Sequence, residues 1–247
     1  MDRKIRVGAV SYLNTKPLLY GLRNSSIMSS IDLQIDYPSR IARMLLDDAI
    51  DIGLVPVAVI PSMNEFYINT QYCIGCDGPV ASVCLFSEIP INKVKYLLMD
   101  YQSRTSVELA KILLRDYWKL NLEFIDTKED FRHLIREDTA GLMIGDRALQ
   151  QRKVAHFAYD LGEAWKNLTG LPFVFAAWIS NKRMDDSFVE AFDKATGLGV
   201  NNIQDVLKTI NSDFFDLREY YTKYISYRLD DSKRKGLNLF LQKLCSA

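Results

Sequence analysis

The sequence predicts an α/β fold of two lobes with a ligand cleft between them, on three observations. The order strand, helix, strand, helix, strand occurs twice, about 90 residues apart. The internal spacing of the two copies agrees: Leu33 to Ile52 is 19 residues, and Leu122 to Gly141 is also 19. Beyond Asn181 the chain reads as helices alone. Alternating strands and helices imply mixed, mostly parallel sheets covered on both faces. Two copies then give two lobes, and the C-terminal helices pack back on the first.

The first copy opens with a strand at Ile5–Val10, then a polar turn, then a helix at Pro17–Leu22 with proline in its first turn. Asp32–Tyr37 reads as the second strand. Ser39 is a plausible N-cap for a helix with Ile41, Met44 and Leu45 on one face. Asp51–Val55 is the third strand. The second copy runs from a strand at Tyr96–Asp100, through the polar turn Tyr101–Ser103, into a helix with Val107, Ala110, Leu114 and Tyr117 on one face. Thr105 and Glu108 have capping-box spacing at its start. Leu122–Ile125 is the next strand, Thr127 with Asp130 opens another helix, and Gly141–Gly145 is the third strand. Pro79–Phe86 and Pro172–Ile179 read as strands at the edges of the second copy, where the chain crosses between lobes. This gives a first lobe of residues 1–86 and 176–247, a second of 87–175, and hinge strands near 80–88 and 172–179. The last helices are expected at Asp185–Thr196, Ile203–Asn211, Phe214–Tyr227 and Asp231–Leu244.

Composition removes several function classes. Lys plus Arg and Asp plus Glu both number 31, so the chain lacks the basic excess that a nucleic-acid partner requires. No apolar run reaches the roughly 18–20 residues that span a membrane. The start, MDRKIRVGAV, passes from charge into a strand without the apolar core of a leader, so a cytoplasmic protein is expected. Cys73 and Cys76 form a C-x-x-C, but a zinc site needs about four ligands and the second half is missing. They read as small buried strand residues, and neither metal nor organic cofactor is expected.

In open α/β sheets, ligands bind at the carboxyl ends of strands. Each lobe offers a polar turn and a helix N-terminus there: Ser11–Lys16 from one, Ser103–Ser106 from the other. Helix N-termini carry unpaired N–H groups and partial positive charge, so the pair reads as an anion clamp.

The blocks SYLNTKPLLYGL, DIGLVPVAVIP, GPVASVCLFS, SRTSVELAKILL, IGDRAL and DLGEAWKNLTGLPFVFAAW occur in that order between Val7 and Trp178. Together they resemble the MqnA family, the chorismate dehydratases of the futalosine route to menaquinone. The resemblance implies a type II periplasmic-binding-protein fold and a lyase that removes water from chorismate, giving 3-(1-carboxyvinyloxy)benzoate. The sister family MqnD shares the fold but opens with a Pro/Asn/Asp-rich turn that is not seen here. A non-catalytic solute-binding protein for a small carboxylate and an MqnD-like lyase of the same pathway are the alternative readings the fold allows.

Under the resemblance, Asn14 is the expected catalytic residue, since its amide can donate to a carboxylate or a departing hydroxyl. Ser82 is expected to bind a carboxylate, with Gly78 allowing close backbone approach. Ser103, Thr105 and Ser106 are expected at the second clamp, Ser11 and Tyr12 beside the first. Asp146 reads as an N-cap or an interlobe hydrogen-bond residue. Arg104 reads as surface, and Trp165, Trp178, Phe173 and Phe175 as core or cleft wall. The turns offer no carboxylate or imidazole as a base. His133 falls on the exposed face of a predicted helix and His156 outside the turns, so the substrate's enolpyruvyl carboxylate is expected to take the proton.

Overall fold

The computed structural model describes residues 3–246, so positions 1, 2 and 247 of the expected first lobe lie outside the described residues. Eleven strands form two sheets among them. The first sheet has the order β11-β4-β10-β3-β1-β2 and the second β7-β6-β8-β5-β9, with β1 Ile5–Val10, β2 Ile31–Asp36, β3 Ile52–Pro56, β4 Tyr67–Cys76, β5 Val83–Ser87, β6 Tyr96–Met99, β7 Glu123–Asp126, β8 Thr139–Ile144, β9 Phe157–Asp160, β10 Phe173–Ser180 and β11 Ser226–Arg228.

The two copies are visible as matching triples. β2-β1-β3 and β7-β6-β8 are each parallel, with the first strand of each copy in the middle. Each triple is then extended by antiparallel strands: β10 against β3, and β5 against β8. Parallel pairing needs a crossover, which supplies α1 (Lys16–Arg23), α2 (Pro38–Leu46) and α3 (Thr105–Leu113).

Strand pairing moves the expected boundary. Val83–Ser87 lies inside the second sheet, between β8 and β9, so the chain has already crossed before residue 83. Phe173–Ser180 lies wholly in the first sheet, between β3 and β4. The crossings are therefore the loops at 77–82 and 170–172. β4, which carries Cys73 and Cys76 as buried free thiols, has no counterpart in the expected element list. Its ten residues mix Asn, Thr and Gln into an apolar run, which blurs the alternation.

Four local expectations are corrected. No α-helix follows Thr127 and Asp130: Thr127 donates to the Met99 carbonyl at 2.6 Å, Asp130 is tied to Arg132, and only a 3₁₀ turn forms at Arg132–Leu134. Phe214–Tyr227 is not one helix. It comprises a short α8 (Leu217–Glu219), a π turn at Tyr220–Tyr224 and β11. Ser39 does not cap α2, which starts at Pro38 after Tyr37. Thr105 does not cap α3; the Ser103 hydroxyl accepts from the Ser106 N–H at 3.1 Å instead.

Between β8 and β11 the chain forms α4 (Gly145–Gln151), α5 (Leu161–Thr169), α6 (Asp186–Val200) and α7 (Ile203–Lys208), and it ends in α9 (Asp231–Cys245). α6 packs on α1 through Gly21 and Gly199, where a Cβ on either would run into the other helix's backbone. Trp165, Trp178, Phe173 and Phe240 are fully buried and fill the core beside β10. No helix among the described residues is long and apolar enough to cross a membrane.

Candidate active site

The strand ends of both lobes meet across a cleft of about 550 Å3, its open mouth included. Tyr12, Asn14 and Thr15 line it from the turn after β1, Ser103, Thr105 and Ser106 from the turn into α3, and Ser82 from the crossing loop. Leu54, Ile74, Val80, Ile144 and Phe175 supply apolar wall. Among the described lining residues there is no Lys, Arg, His, Asp or Glu.

Hydrogen bonds across the cleft hold the lobes together. The Leu13 N–H donates to Asp146 Oδ1 at 3.0 Å, the Ala58 N–H donates to Thr105 Oγ1 at 3.2 Å, and the Tyr12 hydroxyl donates to Gln102 Oε1. Gly145, at φ +61°, presents bare backbone to the Tyr12 ring; an added Cβ would sit 3.1 Å from it. Burial pushes the Tyr12 phenol up from its ordinary value, with the Asp100 charge adding to the effect, so it stays a neutral donor.

Three cleft hydroxyls share one property. Thr105 Oγ1 accepts from Ala58, Ser103 Oγ accepts from the Ser106 N–H, and Ser82 Oγ accepts from the Tyr220 hydroxyl at 2.7 Å. Each oxygen already takes a protein hydrogen; the Thr105 and Ser103 protons are left for the cleft, and the Ser82 proton has besides the cleft only the Val80 carbonyl at a long 3.4 Å. Such a set suits an acceptor-rich ligand, above all a carboxylate. The first turn of α3 adds backbone N–H groups without helical partners.

The turns are braced from behind. Tyr221 donates to the Leu13 carbonyl at 3.0 Å and Tyr227 to the Asn14 carbonyl at 2.8 Å, so the C-terminal segment fixes the first turn. Asp100 fixes the second: it accepts from the Gln102 and Ile144 N–H groups at 2.9 and 3.0 Å and pairs with Arg147 at 2.7 Å. In the crossing loop, Ala81 has φ +62°, and Asp160 holds it by accepting from the Val80 and Ala81 N–H groups. Asp160 also caps α5 through Gly162 and Glu163. Burial raises both Asp100 and Asp160 above the usual carboxylate range.

The family model for menaquinone biosynthesis matches residues 5–245. The chain belongs to this family. It is similar, at 25% identity, to the chorismate dehydratase of Campylobacter jejuni, with 97% of both chains covered. It is 24% identical to the chorismate dehydratase of Thermus thermophilus, covering 96% of this chain and 94% of that one. Among solved structures, a protein of Archaeoglobus fulgidus superposes with TM-score 0.76 at 13% identity, covering 98% and 97% of the two chains. The alkanesulfonate-binding protein SsuA of Xanthomonas axonopodis, bound to MOPS, superposes with TM-score 0.67 at 11% identity, covering 99% and 93%. The shared architecture is the periplasmic-binding-protein fold.

Against this menaquinone-family frame, the expected site residues divide. Tyr12, Asn14, Ser82, Ser103, Thr105 and Ser106 all line the cleft. Asp146 borders it and ties the lobes through Leu13, but does not cap a helix. Two residues fall away from the lining. Ser11 is exposed; it follows the end of β1, one residue before Tyr12 enters the cleft. Gly78 has φ +106° with open space where a Cβ would be, so it serves the turn of the crossing loop. Arg104 is exposed, His133 and His156 are exposed and line no part of the cleft, and Phe175 is cleft wall.

Asp100, Gln102, Arg147, Tyr220, Tyr221 and Tyr227 were not anticipated. Their signal was weak: Asp100 ends an apolar strand, as strand-terminal aspartates often do, and the tyrosines lie in a stretch that reads as helix.

Proposed function

We propose that this protein is a chorismate dehydratase, a lyase that converts chorismate to 3-(1-carboxyvinyloxy)benzoate and water in menaquinone biosynthesis. The observation that carries the reading is a cleft in which three hydroxyls, Ser82, Ser103 and Thr105, accept from the protein and can donate to a ligand, while its described lining has no ionised group. A dicarboxylate would be held there by neutral donors, in the manner of a binding protein. In this reading Ser82 takes one carboxylate and Thr105, Ser103 and Ser106, with the first turn of α3, take the other.

The chemistry needs a base at C3 and a route out for the C4 hydroxyl. No cleft side chain is a carboxylate or imidazole, so the reading assigns the base to the substrate's own enolpyruvyl carboxylate, attached at C3. It takes the C3 proton, the C3–H electrons move into the ring, and the C4–O bond breaks. The proton leaves with the hydroxyl as water, and the ring becomes aromatic. Asn14 orients the ring and the departing hydroxyl. Positioning of this kind can supply several kcal/mol without a protein base.

Incubation of the purified protein with chorismate in EDTA tests this. The expected outcome is a new aromatic absorbance and a product lighter by one water. Tight binding without turnover would make the protein a carboxylate-binding protein instead.

A further inference from the structure

Tyr220 is fully buried and lines no part of the cleft, so it touches no ligand. Its hydroxyl nonetheless sits between the two residues given the central roles. It donates to Ser82 Oγ at 2.7 Å, and the Asn14 side chain lies close by. Thr15 Oγ1 donates to Asn14 Oδ1 at 3.2 Å. The hydrogen bond that reaches the cleft is therefore the one from Tyr220 to Ser82. The Ser82 proton then has the Val80 carbonyl at a long 3.4 Å or the cleft.

We propose that Tyr220 is a positioning residue that fixes the sense of the Ser82 hydroxyl, making it a donor to the ligand and so selecting a carboxylate over a neutral isostere. The inference rests on the assignment of Ser82 to carboxylate binding made above. A carboxylate accepts the Ser82 proton with either oxygen. A carboxamide turned the wrong way meets donor with donor. Without the Tyr220 hydroxyl, Ser82 can rotate toward Val80 or accept from the ligand, and the discrimination is lost. Burial pushes the Tyr220 phenol far up, which keeps its proton in place for this role.

The test uses benzoate and benzamide as probes, with dissociation constants measured by NMR titration for the wild type, Tyr220→Phe, Ser82→Ala and the double variant. The wild type is expected to prefer benzoate by about tenfold or more, the worth of one hydrogen bond to a charged group. In Tyr220→Phe the preference falls to within about threefold, and KM for chorismate rises more than kcat falls. Ser82→Ala shows the same collapse, and adding Tyr220→Phe to it changes nothing further. A preserved preference in folded Tyr220→Phe, or losses that multiply in the double variant, overturns the proposal. Should Tyr220→Phe fail to fold, an unchanged preference in Ser82→Ala overturns it as well. A wild type indifferent to the two probes also overturns it. A wild type that prefers benzoate but leaves chorismate intact refutes the dehydratase reading and leaves the role of Tyr220 standing.

Discussion

The turn after β1 and the turn after β6 occupy equivalent places in their lobes, yet they are held by different physics. Neutral tyrosine hydroxyls from the distant C-terminal segment hold the first, through the carbonyls of Leu13 and Asn14. A buried ion pair within its own lobe, Asp100 with Arg147, holds the second. The first lobe has its own charged anchor, but at the opposite end of β1: Asp51 accepts from the Arg6 N–H at 2.8 Å and pairs with the Arg6 guanidinium at 2.7 Å. The difference teaches where charge is tolerated. Around the first turn, which carries Asn14, the brace from its own lobe is made of phenols kept neutral by burial, and the one carboxyl that reaches it, Asp146 on the Leu13 N–H, comes from the other lobe.

The largest effect expected from breaking this contrast is on kinetics. Ser82→Ala and, separately, Thr105→Val should each cost about 10- to 100-fold in kcat/KM, since each removes a hydrogen bond to a charged group. Unchanged kinetics in folded variants would return these residues to structural duty.

On stability the two braces should separate. Arg147→Met leaves the Asp100 carboxylate buried without its cation and should cost about 3–5 kcal/mol, a fall in Tm of roughly 10 °C. Tyr221→Phe removes one neutral hydrogen bond and should cost only about 1 kcal/mol. Equal losses in thermal melts would mean the two turns are not braced differently.

Acid provides the mildest probe. Burial pushes Asp51 up, but hydrogen bonds from the Arg6 side chain and backbone and from Arg3 outweigh it and hold its carboxyl at about 2. With a depressed folded value, its contribution is present above the ordinary carboxylate range and is lost as pH falls toward 2. Discounted for the partly exposed pair, that is about 1 kcal/mol. Asp100 is raised, so its effect runs the other way: it favours the fold at low pH and loses that advantage as pH rises through its folded value. Asp51→Asn should therefore flatten the acid limb of stability between about pH 4 and 2 in denaturant titrations. Asp100→Asn should leave that limb in place.

The legible parts of this molecule were those with local pattern. Both parallel triples could be read, because each strand and helix has its own periodicity and the copies repeat. Five of the cleft-lining polar residues, Tyr12, Asn14, Ser103, Thr105 and Ser106, were readable as strand-end turns, and Ser82 as a polar residue in an apolar strand. The brace was not. Tyr220, Tyr221 and Tyr227 act on residues more than a hundred positions away, and a stretch that reads as one helix is broken into a π turn and a strand to place them. The crossing loop was misplaced for a similar reason: an apolar strand shows that it is buried, but not in which sheet.

The central claim is that the chemistry belongs to the first turn and to the substrate, and not to a protein base. The direct measurement is kcat on chorismate for Asn14→Ala beside His133→Gln and His156→Gln. The account predicts a loss of about 100-fold or more for Asn14→Ala, as expected for a lost transition-state hydrogen bond, and histidine variants within a few-fold of wild type. A histidine variant that loses most of its kcat while still binding product would contradict it.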